Sequence, residues 1–167
     1  EHTMAYSSAP KVRRDGIIKL KDGTSPTPVS LTVDYEEGNF SFDQVKSDRI
    51  VIRDRGTIKS VRKGDDQPLT GSFTIYMRQF TSATAGSVLD FINKTNSYSG
   101  NTSASSTVAT DEYTINIVFE VDGDAVGDDD GDTIATFDTC ICQASFAEGD
   151  PNQITVNFEC FNGVTYS

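Results

Sequence analysis

The segment EYTINIVFEV, residues 112 to 121, alternates almost without a break. Tyr113, Ile115, Ile117, Phe119 and Val121 fall on one side; Glu112, Thr114, Asn116 and Glu120 fall on the other. Successive side chains of a strand point to opposite faces, so this spacing predicts a half-buried β-strand. The same two-residue period runs through most of the chain and helical periodicity is nearly absent. GIIKLKD (16–22) reads as a strand, and VSLTVDYEEGNFSF (29–42) as a longer one bulged near Gly38. DRIVIRDRGTIKSVRKGDDQ (48–67) reads as a charged, strand-rich excursion, with Gly56 and the Lys63-Gly64-Asp65-Asp66 cluster as turns, after which LTGSFTIYMRQF (69–80) resumes the sheet. TIATFDTCICQASF (133–146) and QITVNFECF (153–161), joined through Gly149-Asp150-Pro151-Asn152, complete an antiparallel meander, because connections this short hold no crossover helix.

One helix is expected, in AGSVLDFINKT (85–95). Ser87 stands at its cap position, and Val88, Leu89, Phe91 and Ile92 form one apolar side that should lie on the sheet. The Ser/Thr/Asn-rich stretch 93–110 has little to bury and is expected as an exposed, flexible loop. The fold class that follows is mainly β: an antiparallel sandwich or barrel-like sheet with one short packed α-helix. At 167 residues the chain suits a single domain. Glu1–Thr3 read as residues left by expression, with Met4 as the native start and residues 4–167 as the domain. No apolar run approaches the roughly 18 to 20 residues of a membrane span, and no signal peptide is visible, so a soluble protein is expected.

Charge is divided along the chain. All 14 Lys and Arg lie at or before Lys94, beside 12 acidic residues, whereas residues 95–167 hold 13 acidic residues and no basic one. Such a balance argues against gripping nucleic acid, which depends on Lys and Arg displacing phosphate counterions. It suits a solubilising surface, or head-to-tail association of a positive end with a negative one.

Catalytic signatures are missing. The one histidine, His2, falls within the expression residues, so no native base is at hand to activate a nucleophile. GDDQPLTG lacks the Lys-Ser/Thr ending of a phosphate loop. A non-enzyme without a cofactor is therefore expected. Cys140, Cys142 and Cys160 make an incomplete zinc set. Cys140, Cys142, Ala144 and Phe146 should lie beside Ile154, Val156, Phe158 and Cys160, as small core residues in a reducing compartment, with a disulfide or a metal as the alternatives.

Residues 122–132 pack six aspartates and three glycines together. An EF-hand-type loop needs acids at positions one, three and five, glycine at six and glutamate at twelve. Asp128, Asp130 and Asp132 satisfy the first three, but the sixth and twelfth residues are Thr133 and Thr139. The expectation is a negatively charged hairpin tip with at most weak, adventitious Ca2+ binding.

The run ATFDTCICQASFAEGDPNQITVNFECFNG (135–163), with its Phe146, Glu148-Gly149 and Ile154/Val156/Phe158 pattern, resembles the C-terminal end of the tail tube, or major tail, proteins of long-tailed bacteriophages. PLTGSFTIYMRQF (68–80) followed by a short helix is similar as well. The resemblance implies a structural subunit whose hexameric rings stack into a hollow tube lined by a joint inner β-barrel, a conduit for DNA ejection into the host. Its partners would be itself, other tail proteins and double-stranded DNA in transit without specific binding. Its place would be the virion tail, assembled in the host cytoplasm.

From the same likeness, the 48–67 excursion would reach the neighbouring ring, with Arg49, Arg53, Arg55, Lys59, Arg62 and Lys63 as contact candidates. The polar side of 112–120, Glu112, Thr114, Asn116 and Glu120, would supply wall positions of the channel. Ring-forming tube proteins of contractile tails and of type VI secretion share the implied fold. The competing readings are a calcium-dependent β-sandwich module for binding or adhesion, which the absence of tryptophan weakens, and another phage structural part, a capsid decoration protein or a tube terminator.

Overall fold

The computed structural model describes residues 16–33, 39–44, 47–84, 86–104, 111–121 and 132–167. Within them run β1 (Gly16–Lys21), β2 (Ser30–Val33), β3 (Ser41–Asp43), β4 (Ser47–Asp54), β5 (Thr57–Asp66), β6 (Leu69–Tyr76), the helix α1 (Val88–Asn93), β7 (Ile115–Val121), β8 (Thr133–Ala147), β9 (Gln153–Cys160) and β10 (Val164–Tyr166). Eight strands share one sheet, ordered β2-β1-β7-β8-β9-β6-β3 with β10 against β8, while β4 and β5 form a two-stranded sheet of their own. The mainly-β class with one short helix is therefore as expected.

The long strand β8 organises the sheet. Its first part pairs with β7 on one side and with β10 on the other, through Ala135, Thr136 and Phe137. Beyond Cys140 it pairs with β9. Between the two parts, Ile115 and Ile117 of β7 stand opposite Cys140 and Phe137, so β8 carries one extra residue, a bulge. Thr139, in the bulge, has φ 59° and is fully buried. Its N–H donates to Asn116 Oδ1 at 3.0 Å, and its carbonyl accepts from Phe161 N at 3.0 Å. The bulge is thus hydrogen-bonded on both flanks, as a buried backbone requires.

The core sits where the bent sheet faces itself. Phe40, just before β3, stacks on Phe119 of β7 with ring centroids 4.8 Å apart and planes within 4°. It also meets Phe73, Phe137 and Phe158, while Phe42 lies edge-on to Phe137 at 4.9 Å. One edge strand of the sheet is thereby brought over the strands at its middle, and aromatic packing of this kind adds about 1 kcal/mol per pair beyond area burial.

The predicted 29–42 strand is two strands at opposite ends of the sheet order, β2 beside β1 and β3 beside β6. Alternation continues across the crossing and conceals it; Gly38 lies outside the described residues. The Lys63–Asp66 cluster is not a turn but the end of β5. Ser87 occupies the helix N-cap, yet its hydroxyl donates to Phe80 O at 2.8 Å instead of capping. Apolar Phe91 is buried, and its ring meets Tyr98 edge-on at 4.8 Å.

Two buried carboxylates fasten the irregular segments. Asp22, 1% exposed, accepts hydrogen bonds from Thr24 N, Thr24 Oγ1, Val29 N and Thr102 N. Asp90, also 1% exposed, accepts from Ser82 N, Thr95 Oγ1 and Asn96 Nδ2. The first part of the 93–110 stretch is consequently tied down: Asn96–Tyr98 form a 3-10 turn, Asn101 is buried, and a Cβ on Gly23 would collide with the Ser103 carbonyl. Residues 105–110 lie outside the described residues.

Burial by itself would raise both carboxyls, but their hydrogen bonds, led by the Thr24 side chain for Asp22 and the Ser82 N–H for Asp90, hold them below the ordinary 3.8. A depressed folded pKa stabilises fully above the unfolded value and is lost as pH falls through the folded one. In urea titrations the stability due to these groups should be constant above about pH 5 and decline below 3.8. Asp22→Ala should cost about 3 kcal/mol at pH 7 and flatten that acid decline.

Candidate interaction surfaces

The antiparallel registers of β3, β6, β9 and β8 place Asp43, Thr70, Glu159 and Ile141 in one row across the sheet. Ser41, Ser72, Asn157 and Gln143 form the next row, followed by Thr74, Thr155 and Ser145. All share one face by the two-residue period, and all are exposed or half-buried. Hydroxyls pair across it, Thr74 with Thr155 at 3.1 Å and Ser41 with Ser72 at 3.5 Å. The opposite face carries Leu69, Phe73, Ile75, Ile154, Val156, Phe158 and Cys160, all buried. None of these four strands contains a Lys or Arg, so the polar face is neutral to acidic. Its upper rows line an open cleft, and Glu112 and Phe161 stand at the cleft's border.

The sheet ends openly at this half. Ile115 of β7 pairs with Cys140 and is the first β7 residue, so among the described residues Ile141–Ala147 have a partner only in β9. β3, three residues long, is the other free edge.

The four wall candidates of 112–120 do not share one free surface. Glu112 is exposed beside the cleft. Thr114 is fully buried, its hydroxyl 2.8 Å from Ser103 Oγ and its carbonyl accepting from Ala104 N at 2.9 Å. Asn116 turns to the β8 bulge. Glu120 pairs with Lys19 at 3.0 Å on the neighbouring strand. Alternation located the non-core side of β7 correctly, but residues 101–104 cover part of it and the bulge claims another part. The polar rows of β6 and β9 form a surface only across neighbouring strands, which the alternation of any single strand does not reveal.

β4 and β5 form an arm. Arg55 (φ 48°) and Gly56 (φ 83°) make a two-residue turn of the kind whose twist matches paired strands. Arg49, Arg53, Arg55, Lys59, Arg62 and Lys63 are all exposed except for the ordinary contacts of a hairpin, and so are Ile50, Val51, Ile52, Ile58 and Val61, at 39 to 57%. The register sets Arg49 opposite Lys63, like charge against like, with Lys63 bound to Asp66 at 2.7 Å. Two strands alone are marginal in water, and this pair shows apolar side chains on both faces.

Cys140 faces Cys160 across the β8–β9 pair, and Cys142, Ala144 and Phe146 face Phe158, Val156 and Ile154, the neighbours expected from the sequence. All three cysteines are free. Cys160 Sγ donates to the carbonyls of Asp138 and Gly163, at 3.0 and 3.1 Å. The hydrogen bond with Cys160, together with burial, pushes the Cys140 thiol up, and burial pushes Cys142 up to about 12. Of the acidic loop, Asp128 and Asp130 lie outside the described residues and Asp132 is exposed.

No family model matches the chain, and no curated protein matches it. Solved structures do. A chain of an extracellular contractile injection system, the PVC sheath/tube terminator in the extended state, superposes with a TM-score of 0.59 at 12% identity, covering 96% of this chain and 98% of that one. A chain of the PVC sheath-tube complex in the extended state gives 0.59 at 12% identity, covering 96% and 93%. A chain of the anti-feeding prophage cap, the tube terminating cap, gives 0.57 at 11% identity, covering 100% and 95%. At such identities the likeness shows the fold: a tail-tube-like fold shared with chains of contractile injection particles.

Two measurements check these surfaces. In the free protein, amides of 47–66 should exchange within seconds while those of β6 and β9 stay protected. At pH 8, a thiol reagent should leave Cys140 unmodified until denaturant is added, because it is buried and its thiol remains protonated.

Proposed function

We propose that the chain is a structural subunit that assembles with copies of itself into stacked, hexameric rings forming the hollow tail tube of a phage, a conduit for double-stranded DNA. The observation that carries this reading is the open sheet half β3-β6-β9-β8, apolar on one face and polar without a cation on the other. An unpaired strand edge such as Ile141–Ala147 invites another chain, and closing sheets from several copies into one barrel removes every edge at once. On β6 and β9 the apolar face is already buried within the chain, and only its β8 margin, Ala144 and Phe146, is exposed, so the polar face is the broad one left for the lumen.

The lumen's chemistry then follows. Phosphates are held by Lys and Arg through counterion release; a wall of Ser, Thr, Asn and Gln with scattered acids offers them no purchase, so DNA slides. The basic arm, β4 and β5, meets the neighbouring ring, where its apolar residues gain cover. Other tail proteins bind the ends of the tube, and the mature location is the virion. This role is non-catalytic and needs no cofactor. The fold shared with contractile injection particles supports a tail structural part.

A tube terminator is the second reading, favoured by the two terminator structures among the similar ones. It differs in outcome, since a terminator forms a single ring that does not elongate. A calcium-dependent binding module differs again, as a monomer that melts at higher temperature with calcium.

Purified protein viewed by negative-stain electron microscopy, with and without a calcium chelator, separates the three. Hollow tubes that ignore the chelator are expected; single rings would favour the terminator, and a calcium-stabilised monomer would overturn the proposal. Asn157→Lys should leave tubes intact and make them retain DNA at low salt, with release on raising salt, as a gel-shift titration would show.

A further inference from the structure

The arm and its landing place stand at opposite ends of the same sheet. The arm leaves the sheet between Asp43 of β3 and Leu69 of β6, the end at which Leu69 pairs with Cys160. At the other end, where Tyr76 pairs with Gln153 and Gln153 with Ala147, two exposed aromatics meet: Phe80 and Phe146, each 46% exposed, lie edge-on with centroids 5.2 Å apart. The eight residues of β6 separate the two ends by about 25 Å at about 3.3 Å per residue. The patch is bordered by the exposed Glu148 and Asp150, in a turn fixed by Gly149 N to Asn152 Oδ1 at 2.9 Å and Met77 N to Asn152 O at 2.8 Å. Arg78, on the same connection, already has a partner.

The arm is complementary to that patch. Register and alternation put Arg49, Val51 and Arg53 on one face with Lys63, Val61 and Ile58, an apolar centre flanked by cations. The patch is an aromatic centre flanked by acids. Resting on the tube reading above, we infer that this face of the β4–β5 arm docks on the Phe80–Phe146 patch of a second copy, its cations facing Glu148 and Asp150. Because donor and acceptor lie at opposite ends of one subunit, the contact is heterologous and repeats from copy to copy along the strand direction, so it stacks rings instead of closing them. Desolvated aromatics at the centre and charged pairs at the rim give such a contact its strength and its register.

Cross-linking tests this directly. Copies bearing Ile58→Cys and copies bearing Glu148→Cys, assembled together and treated with a short bis-maleimide, should give inter-copy links between these positions, found by mass spectrometry. Unassembled protein should give none. Phe146→Ser should keep the thermal midpoint of the free subunit and raise the concentration needed for elongation at least about tenfold. Arg53→Glu should do the same, and Glu148→Lys combined with it should restore part of the loss. Tubes of the Ile58→Cys and Glu148→Cys copies that form without the 58–148 link, or Phe146→Ser tubes that elongate normally, overturn this docking and leave the tube reading standing. Wild-type protein that never assembles overturns both.

Discussion

One extra residue in β8 sets the course of the whole sheet. Because Asp138 and Thr139 step out of register with β7, a single strand pairs with β7 and β10 in its first half and with β9 in its second. The step is held from both sides. Asn116 receives the Thr139 N–H, the tight turn after β9 returns Phe161 N to the Thr139 carbonyl, and Asn162 Nδ2 reaches Asp138 Oδ2 at 2.9 Å. Cys160 adds its thiol to the Asp138 carbonyl. A buried N–H without a partner would cost about 1 to 3 kcal/mol, so these few side chains permit the bend.

The bend has two consequences. It folds the sheet so that Phe40 and Phe42, at one edge, close over Phe119 and Phe137 near its centre, which fills the core. It also carries the second half of β8 past the end of β7, leaving an unpaired edge and a broad polar face. A subunit so built is complete inside and incomplete at its border. The exposed arm β4–β5 is incomplete in another sense, since its apolar side chains are shared between two faces with no third layer. Both features are ones that the proposed assembly with other copies of the chain would cover.

The sequence made much of this legible. Strict alternation located β1, β6, β7 and β9, and placed Cys140, Cys142, Ala144 and Phe146 opposite Cys160, Phe158, Val156 and Ile154. Alternation reports faces, however, and is silent on partners. It ran straight through 29–42, where the chain passes from one sheet edge to the other, and it treated Asn116 as a surface residue although a bulge on a neighbouring strand takes its side chain. The burial of Thr114 escapes alternation for a related reason: the Ser/Thr-rich segment that covers it has no apolar period, and Thr102 in it is held by the buried carboxylate of Asp22. The candidate channel face needs residues from four strands at once, so no local stretch announces it. The basic arm was visible as an excursion because six cations and five aliphatic residues lie in one strand-rich hairpin.

A cryo-electron microscopy reconstruction of the assembled particle tests the central claim most directly. The proposed assembly is a hollow sixfold tube whose inner wall is formed by the β3-β6-β9-β8 sheet, with Ser72, Asn157 and Glu159 at the lumen. A reconstruction with that polar face buried between subunits, or turned to the outer surface, would contradict it.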